Sequence, residues 1–353
     1  MKRVRVLVVD DSRFMVSLIS SVLEKDPELE VVGFALDGRD AVDKARQLNP
    51  DVITMDVVMP RMDGLDATRA ILAERSIPII VFSAHTTRGA DLTVEALQAG
   101  AVDWLAKPSG ELSMSLDSVA RELVEKVKGI GRQSAVRSGS TGSDAFSSRS
   151  WTSLPVTTAL PRPVGAPSAV IVGASTGGIH ALQSLLPRFD QRVPFAVIVV
   201  QHFPEGFTTR LAHRLASICS LPVAEAQPGQ RVERASILVA PGGKNLEITP
   251  ALRIRLSEDD GPAVMRPSID VTFRSAARAL GPNALAVVLT GMGRDGSQGA
   301  AEIFRSGGRV LVEDFRSATA WGMPRATYET GCYDAVLPLE QIAGTILRIS
   351  GLS

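Results

Sequence analysis

Val4-Arg-Val-Leu-Val-Val9 runs directly into Asp10-Asp11-Ser12, and this junction of a short apolar run with a pair of acids decides how the first third of the chain is read. A valine-rich run of this length has the composition of a β-strand. It carries Arg5 and stops at two carboxylates, so it is not the apolar core of a secretory leader. Comparable runs return at Val31–Phe34, Val52–Met55, Ile79–Phe82 and Val102–Leu105, with amphipathic helical patterns between them. Strands alternating with helices predict a five-stranded parallel sheet with crossover helices over residues 1–128.

Beyond this the character of the chain changes. From Arg132 to about Ser168 it is rich in Ser, Gly, Thr and Pro, which predicts a linker over 129–167, flexible first and stiffer later. A second α/β pattern starts at Ala169-Val-Ile-Val172 and recurs at Ala196–Val200, Ile237–Ala240, Ala284–Leu289 and Val310–Val312. Between Pro222 and Ser257 the helical period is lost and turn signals punctuate strand-like segments, which predicts hairpins on a sheet edge. Residues 168–353 are thus expected to form a second, doubly wound α/β domain.

Composition narrows the function classes. Of the 353 residues 45% are hydrophobic and 22% charged, the profile of a soluble globular protein. The 38 Lys and Arg balance 38 Asp and Glu, so nothing in the net charge points to nucleic acid or an anionic membrane surface. Cys219 and Cys332 have no metal-binding spacing and do not amount to a disulfide framework, in keeping with a reducing compartment. No stretch approaches the roughly 20 apolar residues of a membrane span, and a cytoplasmic location is expected.

Asp10 and Asp11 follow the first expected strand, Asp56 the third, and Lys107-Pro108 the fifth. Parallel strands end on one edge, where open α/β sheets place their ligands. Three carboxylates gathered there repel one another unless a hard divalent cation neutralises them, most simply Mg²⁺. Asp56 would then be the nucleophile toward a phosphoryl donor and Lys107 a point charge on the phosphoryl oxygens. Ser83 follows the fourth strand, where its hydroxyl could turn to the new phosphate, and Trp104 could fill the space it leaves. Any one of these acids alone reads as a helix cap or loop acid; the set on one edge does not.

Val8-Val9-Asp10-Asp11-Ser12, Met55-Asp56-Val57-Val58-Met59-Pro60-Arg61-Met62-Asp63-Gly64, Ser83-Ala84 and Ala106-Lys107-Pro108 together resemble the response-regulator receiver family. The resemblance implies a flavodoxin-like fold, phosphorylation of Asp56 by a histidine kinase, and Mg²⁺ held by Asp10, Asp11 and Asp56. Where that family usually has Tyr or Phe as its switch aromatic, this chain has Trp104.

In the second half, Val170-Ile-Val172 leads into Gly173-Ala-Ser175-Thr-Gly177-Gly178 and then the helical run Ile179–Leu186. Strand, glycine turn and helix form the setting of a nucleophile elbow, with Ser175 exposed at the turn and the Thr176 N–H available to an oxyanion. On this motif alone the turn fits a phosphate-cradling loop equally well. A base distinguishes the two. Of His85, His180, His202 and His213, only His202 follows an apolar run and so arrives on the strand edge that carries Ser175. His85 belongs to the receiver loop, His180 stands too close to Ser175 in the next helix to fold back, and His213 lies within a helical run. Asp295, in Leu289-Thr-Gly291-Met292-Gly293-Arg294-Asp295-Gly296, would orient the ring, and the Met292 N–H would complete the oxyanion site. Asp270 is the rival acid, but with Ser268 it makes a helix-capping arrangement and is given a structural role. The order Ser, His, Asp separates this chain from the α/β-hydrolases.

Gly173–Gly178, Val200-Gln-His202-Phe-Pro204, Ala240-Pro-Gly-Gly243, Arg266-Pro-Ser-Ile-Asp270, Leu289–Gly296 and Trp321-Gly-Met-Pro324 together resemble the catalytic domain of the CheB family of chemotaxis protein-glutamate methylesterases. The resemblance implies a serine hydrolase with a Rossmann-like fold and a triad of Ser175, His202 and Asp295, with Thr176 and Met292 at the oxyanion site and no cofactor in the hydrolase domain. Its substrates would be methyl-accepting chemoreceptors, on which it removes glutamate γ-methyl esters and deamidates glutamines, and its phosphodonor a chemotaxis histidine kinase. Before phosphorylation of Asp56 the receiver is expected to hold the serine site inactive. Two rivals stand beside this reading: an esterase or amidase acting on another acceptor, and a non-catalytic module whose Gly173–Gly178 loop holds a nucleotide phosphate.

Overall fold

The computed structural model describes residues 3–83, 87–107, 114–137, 165–258 and 265–352, and the chain divides into two compact units, Met1–Arg149 and Ser150–Ser353. Ala84, His85, Pro108 and most of the expected linker lie outside the described residues.

The first unit follows the order β1 (Val4–Val9), α1 (Arg13–Leu23), β2 (Leu29–Ala35), α2 (Gly38–Leu48), β3 (Val52–Asp56), α3 (Gly64–Glu74), β4 (Ile79–Ser83), α4 (Thr87–Gln98), β5 (Asp103–Ala106), α5 (Met114–Arg137). Its five strands are all parallel, in the order β2-β1-β3-β4-β5. Every residue of β3 and β4 is buried, as central strands covered by helices on both faces must be. Ser12, Asp37 and Asp63 cap α1, α2 and α3 by accepting from the backbone N–H three residues on. Gly64 opens α3 where a Cβ would stand 1.9 Å from the Asp56 carbonyl oxygen, so only glycine lets this helix start against β3.

Residues 129–137, assigned to the linker from sequence, are helical. α5 continues to Arg137, because Leu123, Val127 and Ile130 keep the spacing of one helix face and are buried in the core of this unit. At Gly131 a Cβ would meet the Val4 side chain at 2.3 Å, so this extra turn also backs onto β1.

The second unit runs β6 (Ala169–Ala174), α6 (Gly178–Leu185), β7 (Ala196–Gln201), α7 (Phe207–Ala216), β8 (Val223–Glu225), β9 (Ile237–Val239), β10 (Asn245–Ile248), β11 (Ile254–Ser257), α8 (Ile269–Leu280), β12 (Ala284–Val288), α9 (Ser297–Arg305), β13 (Arg309–Glu313), α10 (Gly322–Glu329), β14 (Ala335–Leu337), α11 (Leu339–Ile349). Seven strands form a parallel sheet in the order β14-β13-β12-β6-β7-β9-β8. β6, β7 and β12 are buried along their whole length. Phe273 and Ile269 of α8 pack into the core on the sheet, and Phe189 meets Phe195 edge to face at 5.4 Å.

The expected hairpin is β10–β11, which forms an antiparallel two-stranded sheet of its own; the edge of the main sheet is taken by parallel β8. The hairpin is fastened to α8 through the Ile248 N–H to Ser275 Oγ (2.9 Å) and Thr272 Oγ1 to the Leu246 carbonyl (2.7 Å). β14 had no counterpart in the sequence reading, since three apolar residues carry no period.

Both sheets reverse their winding direction once. In the first the reversal falls between β1 and β3, in the second between β6 and β12. At such a switch point the loops leave in opposite directions and open a crevice beyond the strand ends. Asp10 and Asp56 stand at the first crevice, Ser175 and the 289–296 loop at the second.

Candidate functional site

Ser175 is the first residue past β6, half-buried, and its carbonyl accepts from Gly178 N–H at 2.8 Å as the chain turns into α6. Gly177 makes this turn at φ +76°, in the left-handed region that glycine enters without steric cost. The β6–β7 register pairs Ala174 with Gln201, and the His202 N–H extends the ladder to the Ala174 carbonyl at 3.1 Å. Ser175 and His202 are therefore neighbours at the ends of adjacent strands, about 5 Å apart in the sheet direction. Gln201 reaches across to donate its Nε2–H to the Ser175 carbonyl at 2.9 Å.

His202 Nε2 lies 2.8 Å from Asp295 Oδ2. Among the described residues the Asp295 carboxylate takes four further donors: Ser268 Oγ (3.1 Å) and the N–H groups of Ile269 (2.7 Å), Asp270 (2.9 Å) and Gly296 (3.0 Å). Two of these N–H groups open α8, so the acid sits on the positive end of a helix dipole. Burial works against its charge, but the His202 bond and then the Asp270 and Ile269 N–H groups outweigh it and hold the carboxyl below the ordinary Asp range. An ionised Asp295 can only accept, so Nε2 carries the proton and Nδ1 is left as the basic nitrogen.

Asp270 turns to a different task. Its Oδ1 accepts from Gly299 N–H at 2.7 Å, capping α9, while Ser268 caps α8 through Val271 N–H. Burial, with Asp295 nearby, raises its pKa. The loop after β12 passes close to the serine: at Gly291 a Cβ would stand 2.9 Å from Ser175 Cβ. That brings Met292 beside the elbow whose next residue is Thr176. His180 and His213 are exposed on α6 and α7, apart from this arrangement. The contacts of Gln201 with Ser175 and of Ser268 with Asp295 have no signal of their own in the sequence. Ser268 was legible as a cap, but its second bond, to Asp295, joins residues 27 apart in sequence and leaves no local signal.

At the other crevice, carboxylate oxygens of Asp10, Asp11 and Asp56 lie within 4.8 Å of one another. Asp10 and Asp56 are buried and Asp11 is exposed. Lys107 Nζ lies 2.8 Å from both Asp10 and Asp56. Burial raises the Asp56 pKa against the lowering influence of Lys107. Burial also opposes the Lys107 charge, but its bonds to Asp10 and Asp56 outweigh that and hold its pKa above the usual lysine value. Hard oxygens this close, open to solvent on the Asp11 side, fit an octahedral cation with opposite ligands about 4 Å apart. The Lys107 N–H donates to the Ser83 carbonyl at 2.8 Å, which joins the ends of β4 and β5, and Ser83 is itself buried. Trp104 is half-buried on β5, paired with Val81 of β4.

Residues 170–346 match the family model described as CheB methylesterase, and residues 6–115 that described as response regulator receiver domain. A protein of Carboxydothermus hydrogenoformans named protein-glutamate methylesterase/protein-glutamine glutaminase 2 is 41% identical, with 99% of each chain aligned. One of Symbiobacterium thermophilum, named protein-glutamate methylesterase/protein-glutamine glutaminase, is also 41% identical, over 99% of this chain and 97% of that one. Among solved structures, the crystal structure of the Thermotoga maritima CheB methylesterase catalytic domain matches at a TM-score of 0.50 and 35% identity, covering 52% of this chain and 99% of that chain.

Proposed function

The chain belongs to the CheB methylesterase family, with a response regulator receiver domain ahead of the hydrolase, and from that premise we propose that it hydrolyses glutamate γ-methyl esters on chemoreceptors under phosphorylation control. Receptor glutamines are the second substrate, deamidated to glutamate by the same site. The observation that carries this reading is the 2.8 Å bond from His202 to an anchored, ionised Asp295 on the strand edge that also presents Ser175.

Ser175 Oγ attacks the ester carbonyl carbon while His202 takes its proton. The carbonyl oxygen becomes an oxyanion, met by the Thr176 and Met292 N–H groups. Asp295 stabilises the imidazolium, which then protonates the leaving group, so that methanol departs from an ester or ammonia from a carboxamide. Water, deprotonated by His202, attacks the acyl-enzyme; glutamate leaves and Ser175 regains its proton. The serine site needs no cofactor for these steps.

In the receiver, Asp56 accepts the phosphoryl group from a chemotaxis histidine kinase. Asp10, Asp11 and Asp56 would hold Mg²⁺, which when bound offsets the negative charge on the phosphoryl oxygens. Lys107 adds its own positive charge, and Ser83 and Trp104 respond to the new phosphate, raising the hydrolase rate. Among the described residues no helix is long and apolar enough to cross a membrane, and the reading puts the protein in the cytoplasm with the receptors' signalling helices.

The test is methanol release from carboxymethylated receptor membranes, by wild type and Ser175→Ala, with and without a small-molecule phosphodonor and Mg²⁺. Release that rises with phosphodonor and vanishes in Ser175→Ala is expected. Unchanged release by Ser175→Ala would remove the nucleophile from the scheme.

A further inference from the structure

Thr290, just beyond β12, is buried, and each of its polar groups is engaged. Its N–H donates to Glu313 Oε2 at 2.7 Å, and its carbonyl accepts from the Ser175 N–H at 3.0 Å. Its hydroxyl donates to the Thr176 carbonyl at 2.8 Å and accepts from the Ala320 N–H at 2.9 Å. Thr290 therefore grips the Ser175–Thr176 dipeptide at both ends, by its N–H and by its C=O. Two residues further on, the same chain supplies Met292.

Glu313, at the end of β13, is buried as well. Besides the Thr290 N–H it accepts from Ser317 Oγ at 2.9 Å, and its own carbonyl accepts from Trp321 Nε1 at 3.0 Å. The 320–323 segment closes the frame: Gly291 N–H donates to the Ala320 carbonyl at 2.9 Å and Met323 N–H to the Gly291 carbonyl at 2.8 Å. The loop that carries Met292 is thus held between Thr290 on one side and the Trp321 turn on the other.

We propose that Thr290 and Glu313 form a positioning pair that sets the separation between the Thr176 and Met292 N–H groups. The inference rests on the proposed hydrolase reading of Ser175 and deepens it. Neither residue touches substrate; each acts through the backbone it holds. The side-chain types suit the task. A threonine hydroxyl donates and accepts at once, and its branched Cβ restricts the rotation that would swing the hydroxyl away. Two donors aimed at one oxygen act together only at a fixed separation, and a displacement of about 1 Å at a reacting centre costs on the order of a hundredfold in rate.

The experiment compares Thr290→Val, Thr290→Ser, Glu313→Ala and Glu313→Gln with wild type and Ser175→Ala. Methanol release from carboxymethylated receptor membranes gives kcat and KM, and phosphonylation of the serine by an alkyl fluorophosphonate gives a readout that needs no receptor. Melting temperatures establish that each variant is folded. Thr290→Val and Glu313→Ala are expected to lose about ten- to a hundredfold in kcat and in phosphonylation rate, with KM within about twofold. Thr290→Ser and Glu313→Gln, which keep the hydroxyl and an acceptor for the Thr290 N–H, are expected to regain most of the loss. Where Thr290→Val does not fold, Thr290→Ala carries the same expectation, since it removes the hydroxyl without setting a methyl against the Thr176 carbonyl. A folded Thr290→Val or Thr290→Ala with wild-type kcat and phosphonylation rate, or a loss confined to KM, overturns the inference. Activity surviving in Ser175→Ala would instead overturn the hydrolase reading beneath it.

Discussion

Replacing Asp295 by asparagine changes one atom and tests the serine-site geometry most sharply. Asp295 Oδ1 accepts from Ser268 Oγ, Asp270 N–H and Gly296 N–H, while Oδ2 accepts from Ile269 N–H and His202 Nε2. An asparagine must give one of these positions to an NH₂ group, which accepts nothing. Keeping oxygen at Oδ1 retains three bonds and keeping it at Oδ2 retains two, so the amide nitrogen is expected to face Ile269 and His202. It can be reconciled with His202 only if the proton moves to Nδ1, which leaves the ring unable to take the Ser175 proton. Replacing a triad acid by its amide lowers kcat by about 10⁴, equivalent to about 5 kcal/mol of transition-state stabilisation. The Ile269 N–H, left without an acceptor, costs about 1–2 kcal/mol of stability, too little to unfold a domain of this size. The assay is kcat for methanol release beside a melting curve. A folded Asp295→Asn within tenfold of wild type, while Ser175→Ala is inactive, would refute the assignment of His202 as a base oriented by Asp295.

Asp56→Asn should lose phosphodonor stimulation of methanol release along with acid-labile phosphate on the protein, and EDTA should abolish both in wild type while unstimulated release continues. Glu313 carries a pKa pushed by burial from 4.5 to about 7, so the folded state holds its proton more tightly than the unfolded chain. The stability from that difference is fully present below pH 4.5 and is lost as pH rises through about 7. Between pH 5 and pH 8 wild type should lose roughly 2 kcal/mol more than Glu313→Gln, measured by urea unfolding of the second domain; equal losses would place the group elsewhere on the pH scale. Gly64→Ala puts a methyl 1.9 Å from the Asp56 carbonyl oxygen, which should cost about 3 kcal/mol or more in receiver stability and slow phosphorylation, read by denaturation and phosphodonor labelling.

Apolar runs of strand length, each followed by a chemically pointed residue, make the two sheets legible and point to the residues of both candidate sites. Val4–Val9 with Asp10, and Ala169–Val172 with Ser175, needed only the rule that parallel strands end on one edge. What stayed hidden depends on contacts between distant segments or on segments too short to show a period. α5 passes residue 128 because Ile130 still finds the core under β1, while the local sequence around it already reads as polar. The separation of the β10–β11 hairpin from the main sheet is decided by its bonds to Ser275 and Thr272 of α8, which no turn motif announces. The bonds that Ser268, Gln201, Thr290 and Glu313 make around Ser175 and Asp295 are likewise invisible in sequence. Their partners lie on other loops, and each alone reads as an ordinary buried polar residue.

Three of the donors that hold Asp295 belong to the main chain, at Ile269, Asp270 and Gly296. Mutation rewrites side chains and leaves peptide N–H groups in place, so the bonds from positions 269 and 270 to Asp295 do not themselves depend on side-chain identity, although Ile269 is also held by the core and Asp270 by its cap of α9. Proline is the exception, and an instructive one. At the first residue of a helix it is normally welcome, since its missing N–H has no helical partner to lose. Here position 269 is that first residue, and its N–H is already spoken for. A proline that α8 as a helix would accept would remove one of the donors that hold Asp295, so tolerance at this helix start answers to the candidate site as well as to the core that buries Ile269.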